Sequence, residues 1–234
     1  MGSSRIAHQS SDIRVHDALG QDAKDVTSFV CHIGISSGNV EVKNQQIVLA
    51  KMVEMCPPLI VPLVGEKPDP EFDRIDVVGN IELTASESKQ IAIFIEETAK
   101  ELESIPKRQQ YTVHPHFRDR TDPKSARRYS CAGYVQQAYE YADIDLIDMA
   151  TIPDVGLEKI LPAYPDNRAE LEQPRARAFV GLKGNGPWPV LLPGYIFHAM
   201  NRPPQDCRTT PYKPQVGDEC FPRREAEQPV PAES

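Results

Sequence analysis

Cys131 opens the stretch CAGYVQQAYEY, residues 131–141, in which apolar and polar residues alternate with a helical period. This reads as a thiol at the start of a helix. The positive end of the helix dipole and the free backbone N–H groups there favour thiolate over thiol. The same N–H groups can stabilise an oxyanion during acyl transfer. Ala132 and Gly133 follow the cysteine and are small enough to let a substrate carbonyl approach the backbone. A nucleophilic cysteine also needs a base. His32 sits within FVCHIGI, residues 29–35, a β-branched apolar run in which an unpaired imidazole would be costly. His198, in PGYIFHAM, is a second candidate base.

The elements that must position these groups follow from periodicity and punctuation. A strand is expected from Ser28 to Ile35, closed by the turn signal SSG. NVEVKNQQIVLAKMV gives one or two further strands, PPLIVPLVGEKPDP reads as extended, and Phe72 to Leu83 as another strand. Thr84 and Glu87 fit a capping box, and Ile91, Phe94, Ile95, Thr98 and Leu102 recur at helical spacing, so a helix should run to about Glu103 and stop before Pro106. RQQYTVHPHFRDRTDPKSARRY reads as a polar loop, His114 and His116 included. The cysteine helix should span about Cys131 to Ala142, with Tyr134, Ala138 and Tyr141 on one apolar face and the tyrosines packing the core. A strand is expected in PVLLPGYIFHAM. The proposed organisation is a flexible segment over residues 1–25, one domain over 26–200, and a proline-rich extension over 201–234.

Composition narrows the function classes. The 234 residues carry a net charge of -8, which argues against a general nucleic-acid binder. No apolar run reaches the roughly 18 residues of a membrane span, and the N-terminus lacks an apolar signal region, so a cytoplasmic protein is expected. The five cysteines, at 31, 56, 131, 207 and 220, include no CxxC and do not read as a disulfide framework. No phosphate loop or dinucleotide fingerprint is present, and the expected chemistry calls for no metal and no cofactor.

SCAGYVQQAYEYADIDLI resembles the nucleophile helix of the NlpC-type papain-like cysteine hydrolases: cysteine, small residue, glycine, aromatic, aliphatic. HIGI, His32 to Ile35, resembles the histidine strand of the same superfamily. Here the histidine stands 99 residues before the cysteine, the order of the circularly permuted branch, which includes bacterial lipoprotein-like hydrolases and relatives of lecithin-retinol acyltransferase. RIDVVGNIELTASESKQIAIFIEETA is similar to the strand and helix this branch places between the two motifs. The resemblance covers Ser28 to Ala150, about half the chain. It implies an α+β, papain-like fold in which an antiparallel sheet packs against the cysteine helix. It also implies a third polar residue that orients the imidazole: Glu41 on the following strand, with Asn44, Gln46 and Glu54 as rivals, while Lys51 stands near where some members carry an acid. Permuted members often have tyrosine directly before the cysteine and Ser-Glu after it. This chain has Ser130 before and Ala132-Gly133 after, closer to the unpermuted form, with Tyr129 still able to supply a hydroxyl.

The expected catalytic set is therefore Cys131, His32 and Glu41, with Tyr129, Ser130, Ala132 and Gly133 around the oxyanion. The expected activity is that of a cysteine peptidase or amidase working through a thioester acyl-enzyme, on a peptide or peptidoglycan-like substrate. A lipid acyltransferase or thioesterase on the same fold is the second expectation. A catalytically inactive binding module is the third.

Overall fold

The computed structural model describes residues 5–10, 15–17, 27–30, 33–36, 40–43, 46–49, 52–56, 59–63, 76–106, 109–114, 128–164 and 167–222. Every pairing between its named strands is antiparallel. Strands β1 (Arg5–Ser10) and β9 (Asp76–Glu82) form one pair. Strands β2 (Val15–Asp17), β3 (Thr27–Val30) and the C-terminal β12 (Cys220–Pro222) form a three-stranded sheet with β3 in the middle. A second three-stranded sheet has the order β4 (Gly34–Ser36), β7 (Met52–Cys56), β8 (Leu59–Leu63). Strands β5 (Val40–Lys43) and β6 (Gln46–Leu49) make a separate hairpin. The run expected to give one or two strands after SSG thus gives three, and the first strand of the reading divides into β3 and β4. The architecture is α+β: small antiparallel sheets with helices packed on them.

Helix α1 (Ala85–Glu103) begins as its sequence demands. Thr84 Oγ1 accepts from the Glu87 N–H at 3.2 Å, and Glu87 Oε2 accepts from the Thr84 N–H at 2.7 Å. The two bonds satisfy donors that the helix start otherwise leaves open. Its buried stripe is Ile91, Phe94, Ile95, Thr98 and Leu102, the face that the periodicity identifies.

Helix α2 (Cys131–Glu140) is covered on almost every side. Cys131 to Gln136, Ala138 and Tyr139 are all buried. The cause is its surroundings: α2 packs against β4 and β7, against α1, and against helix α6 (Pro193–Met200). A helix enclosed in this way does not show the one-sided stripe of a surface helix. Of the three tyrosines, Tyr134 and Tyr139 are core, whereas Tyr141 is 41% exposed and leans on Phe94. Gln136, buried with it, accepts from the Ile147 N–H at 3.1 Å and so ties the returning chain to the helix.

The C-terminal half is short helices and turns. A two-stranded ribbon joins β10 (Asp154–Val155) to β11 (Trp188–Pro189). Between them lie α3 (Leu157–Ile160), a 3-10 turn (Leu161–Ala163), α4 (Arg168–Leu171) and α5 (Pro174–Phe179), and after α6 comes α7 (Pro204–Thr209).

One expectation is corrected here. PVLLPGYIFHAM contributes helix α6, not a strand beyond Pro189. A continuous apolar run does not distinguish a buried strand from a buried helix, and Pro193 at the first helical position starts the turn. Within residues 1–25 the described residues form β1 and β2. The extension expected from residue 201 carries α7 and β12, and Cys207, 0% exposed, belongs to the same apolar core as Ile33.

Candidate active site

Ser130 caps α2. Its backbone is extended (φ -79, ψ 167), and its Oγ accepts from the Gly133 N–H at 2.9 Å. The Tyr134 N–H is taken by the Ser130 carbonyl. Among the described residues no acceptor takes the N–H of Cys131 or Ala132. The Gly133 N–H is thus engaged in the cap bond, and the N–H groups of Cys131 and Ala132 are the ones at this helix start with no acceptor among the described residues.

The thiol itself is covered. Cys131 is 1% exposed, and Ser130 and Ala132 are 0% exposed. The phenol of Tyr111 lies 4.0 Å from Cys131 Sγ and 3.2 Å from the hydroxyl of Tyr164. The two tyrosine rings meet edge to face at 6.3 Å. Tyr111 is brought to the cysteine by local pairing: a parallel bridge joins it to Tyr129, with Thr112 N–H donating to the Tyr129 carbonyl and Tyr129 N–H to the Gln110 carbonyl. Arg128 Nη2 fixes the same segment, donating to the Tyr111 carbonyl at 2.6 Å and to the Phe179 carbonyl at 3.2 Å. Its guanidinium also lies over the Phe179 ring, 5.3 Å from the centroid. Burial first, then the neighbouring Cys131 and Tyr164, raises the Tyr111 phenol well above its ordinary range, so its proton stays on oxygen at neutral pH.

Tyr129, expected to offer its hydroxyl, has its ring in an aromatic cluster. Its ring packs edge-on against Phe94 at 6.1 Å and Tyr134 at 5.5 Å. Among the described residues, the Tyr111 hydroxyl stands beside the sulfur. Sequence reasoning missed both Tyr111 and Tyr164. A signal existed for the first: YTV, residues 111–113, is a short strand-like run inside the stretch read as polar loop, and all three residues are buried.

The remaining expected residues divide. His32, Asn44 and Lys51 lie outside the described residues, as does His116. The two residues after His32 are described: Ile33 is 2% exposed, and Gly34 begins β4, which packs on α2. Glu41 lies on β5, opposite Val48 of β6, in the hairpin that is not hydrogen-bonded into the β4–β7–β8 sheet. Gln46 starts β6 opposite Lys43. Glu54 lies on β7 directly opposite Gly34, in the sheet that meets the cysteine helix. His198 is on α6, half-buried, its ring stacked on Tyr212 at 6.5 Å.

No family model matches the chain, and no match to it was found among curated proteins or solved structures. Among the described residues, no helix is long and apolar enough to cross a membrane.

Proposed function

We propose that the chain is a cysteine hydrolase of the papain-like, permuted NlpC-type fold, acting on an amide bond of a peptide or cell-wall-like peptide. The observation that carries this reading is the setting of Cys131. It is the first residue of a helix with a capped N-terminus, and that helix lies on the strand that follows His32 by one residue.

In this reading His32 takes the proton of the Cys131 thiol, and the sulfur attacks the scissile carbonyl carbon. The oxyanion that forms is held by the N–H groups of Cys131 and Ala132. As the tetrahedral intermediate collapses, the C–N bond breaks and His32 returns the proton to the departing amine. A water then attacks the thioester, losing its proton to His32; the carboxylic acid leaves and the thiol is restored. Glu41 is the orienting residue that the family resemblance favours. Glu54 has the stronger claim from strand register, because it stands opposite Gly34 in the sheet under α2.

Intact-mass spectrometry after incubation with a peptide library that includes cell-wall stem peptides tests this reading. An acyl adduct on Cys131, removed by hydroxylamine and absent in Cys131→Ala, supports it. A library turned over equally by Cys131→Ala, or not acylating Cys131 at all, counts against it. The burial of Cys131 favours one other reading, an inactive binding module on the same fold, for which no adduct forms.

A further inference from the structure

We infer that Tyr111 is a positioning residue for the Cys131 sulfur, and that Tyr164 and Tyr111 form a two-hydroxyl relay whose direction follows the charge on that sulfur. The inference rests on the reading of Cys131 as the nucleophile.

A phenol has one proton to donate and lone pairs to accept with. Among the described residues Tyr111 has two neighbours in reach, the Tyr164 hydroxyl at 3.2 Å and Cys131 Sγ at 4.0 Å. It cannot donate to both. When Cys131 is a thiol, Tyr111 can donate to Tyr164 and accept from S–H. When Cys131 is a thiolate, the sulfur is an acceptor only. Tyr111 must then turn its proton to the sulfur, and Tyr164 must supply its own proton to Tyr111. All three groups are buried, with Tyr111 3% and Tyr164 4% exposed, so water does not substitute freely for either hydroxyl. Hydrogen bonds to a charged acceptor are stronger than neutral ones, and the more so away from water. The relay therefore favours the thiolate, adding to the helix dipole.

The position of Tyr164 in the chain makes this specific. It follows the 3-10 turn Leu161–Ala163, in the half of the molecule beyond the family resemblance. That half thus contributes a side chain to the surroundings of the nucleophile. Of the elements packed against α2, β4 has no ionisable group in its sequence, β7 includes Glu54 and Cys56, and α6 carries the buried Tyr195 and the half-buried His198. Helix α1 carries Glu87, Lys89, Glu96, Glu97, Lys100, Glu101 and Glu103, none of them buried, and Glu97 accepts from the Tyr141 hydroxyl at 3.3 Å.

The test is the pH–rate profile of iodoacetamide labelling at the Cys131 peptide, in wild type, Tyr111→Phe and Tyr164→Phe, with the melting temperature of each. Phenylalanine keeps the rings and removes only the hydroxyls. The relay predicts that Tyr111→Phe moves the labelling midpoint up by about one pH unit, a tenfold rate loss on the acid side. Tyr164→Phe should move it in the same direction by less. A lowered melting temperature with an unmoved midpoint in both variants overturns the relay and leaves the nucleophile reading standing. A wild-type profile without any inflection below pH 8 overturns both.

Discussion

Among the described residues two helices begin with a hydroxyl cap, Thr84 of α1, whose cap is completed by Glu87, and Ser130 of α2, and the two differ in burial. Ser130 is 0% exposed, whereas Thr84 lies at the surface. Replacing an N-cap hydroxyl by alanine costs about 0.5–2 kcal/mol. At the surface, water takes over the abandoned N–H, so Thr84→Ala should fall near 1 kcal/mol or below. At Ser130 no water is at hand, and the Gly133 N–H, bonded at 2.9 Å, is left without a partner. An unsatisfied buried donor costs about 1–3 kcal/mol, so Ser130→Ala should fall near 2 kcal/mol. With a urea slope of about 2–3 kcal/mol/M, the unfolding midpoint should drop by roughly 0.7–1 M for Ser130→Ala and by about half that for Thr84→Ala. Equilibrium urea unfolding followed by circular dichroism measures both. A midpoint loss for Ser130→Ala no larger than that for Thr84→Ala refutes the argument that burial amplifies this cap.

Further expectations concern the rest of the frame. A Cβ on Gly194 would stand 2.4 Å from the Asp218 carbonyl oxygen and 2.7 Å from Glu219 backbone, so Gly194→Ala should displace the C-terminal segment and cost about 1–3 kcal/mol in a thermal melt. The Arg208 guanidinium meets the Glu87 carboxylate through two bonds, 2.6 and 3.2 Å; Arg208→Ala should lower stability by about 0.5–1 kcal/mol at low salt, with the difference shrinking in 1 M NaCl. Glu219 is buried, but its bonds to Lys159 and to backbone N–H groups outweigh that and hold its pKa below the ordinary glutamate value. Its contribution is complete above about pH 4.3 and is lost as pH falls through the lowered folded-state value, so the stability advantage of wild type over Glu219→Gln should shrink on acidification from that point. Cys207 points at the Ala199 carbonyl at 3.2 Å and burial pushes its thiol up, so iodoacetamide at pH 7.5 should spare it in the folded protein.

Local rules carried far in this chain because local causes decide several of its elements. The Thr84–Glu87 box and the stripe from Ile91 to Leu102 needed no partner to be recognised, and both are present in α1. Cys131 at the start of a helix was legible for the same reason, since Ser130 is a capping residue by type. What sequence could not supply was contact between distant segments. Tyr111 reaches Cys131 through its bridge to Tyr129 and the Arg128 bond to its carbonyl, and Tyr164 arrives from the far half of the chain. Glu41 follows His32 closely in sequence but lies in a separate hairpin, whereas Glu54, thirteen residues further on, shares the sheet under the cysteine helix. Apolar composition misled at Pro193–Met200, where Pro193 was the informative residue and the hydrophobic run was not.

The central claim is that Cys131 is an activated nucleophile paired with His32. The measurement that meets it most directly is the rate of iodoacetamide labelling of the Cys131 peptide at pH 6, by mass spectrometry, in wild type and His32→Ala. The account predicts rapid labelling in wild type and its loss in the variant, with both proteins folded. A Cys131 that stays unlabelled until about pH 8, like an ordinary thiol, and is indifferent to His32 would contradict it.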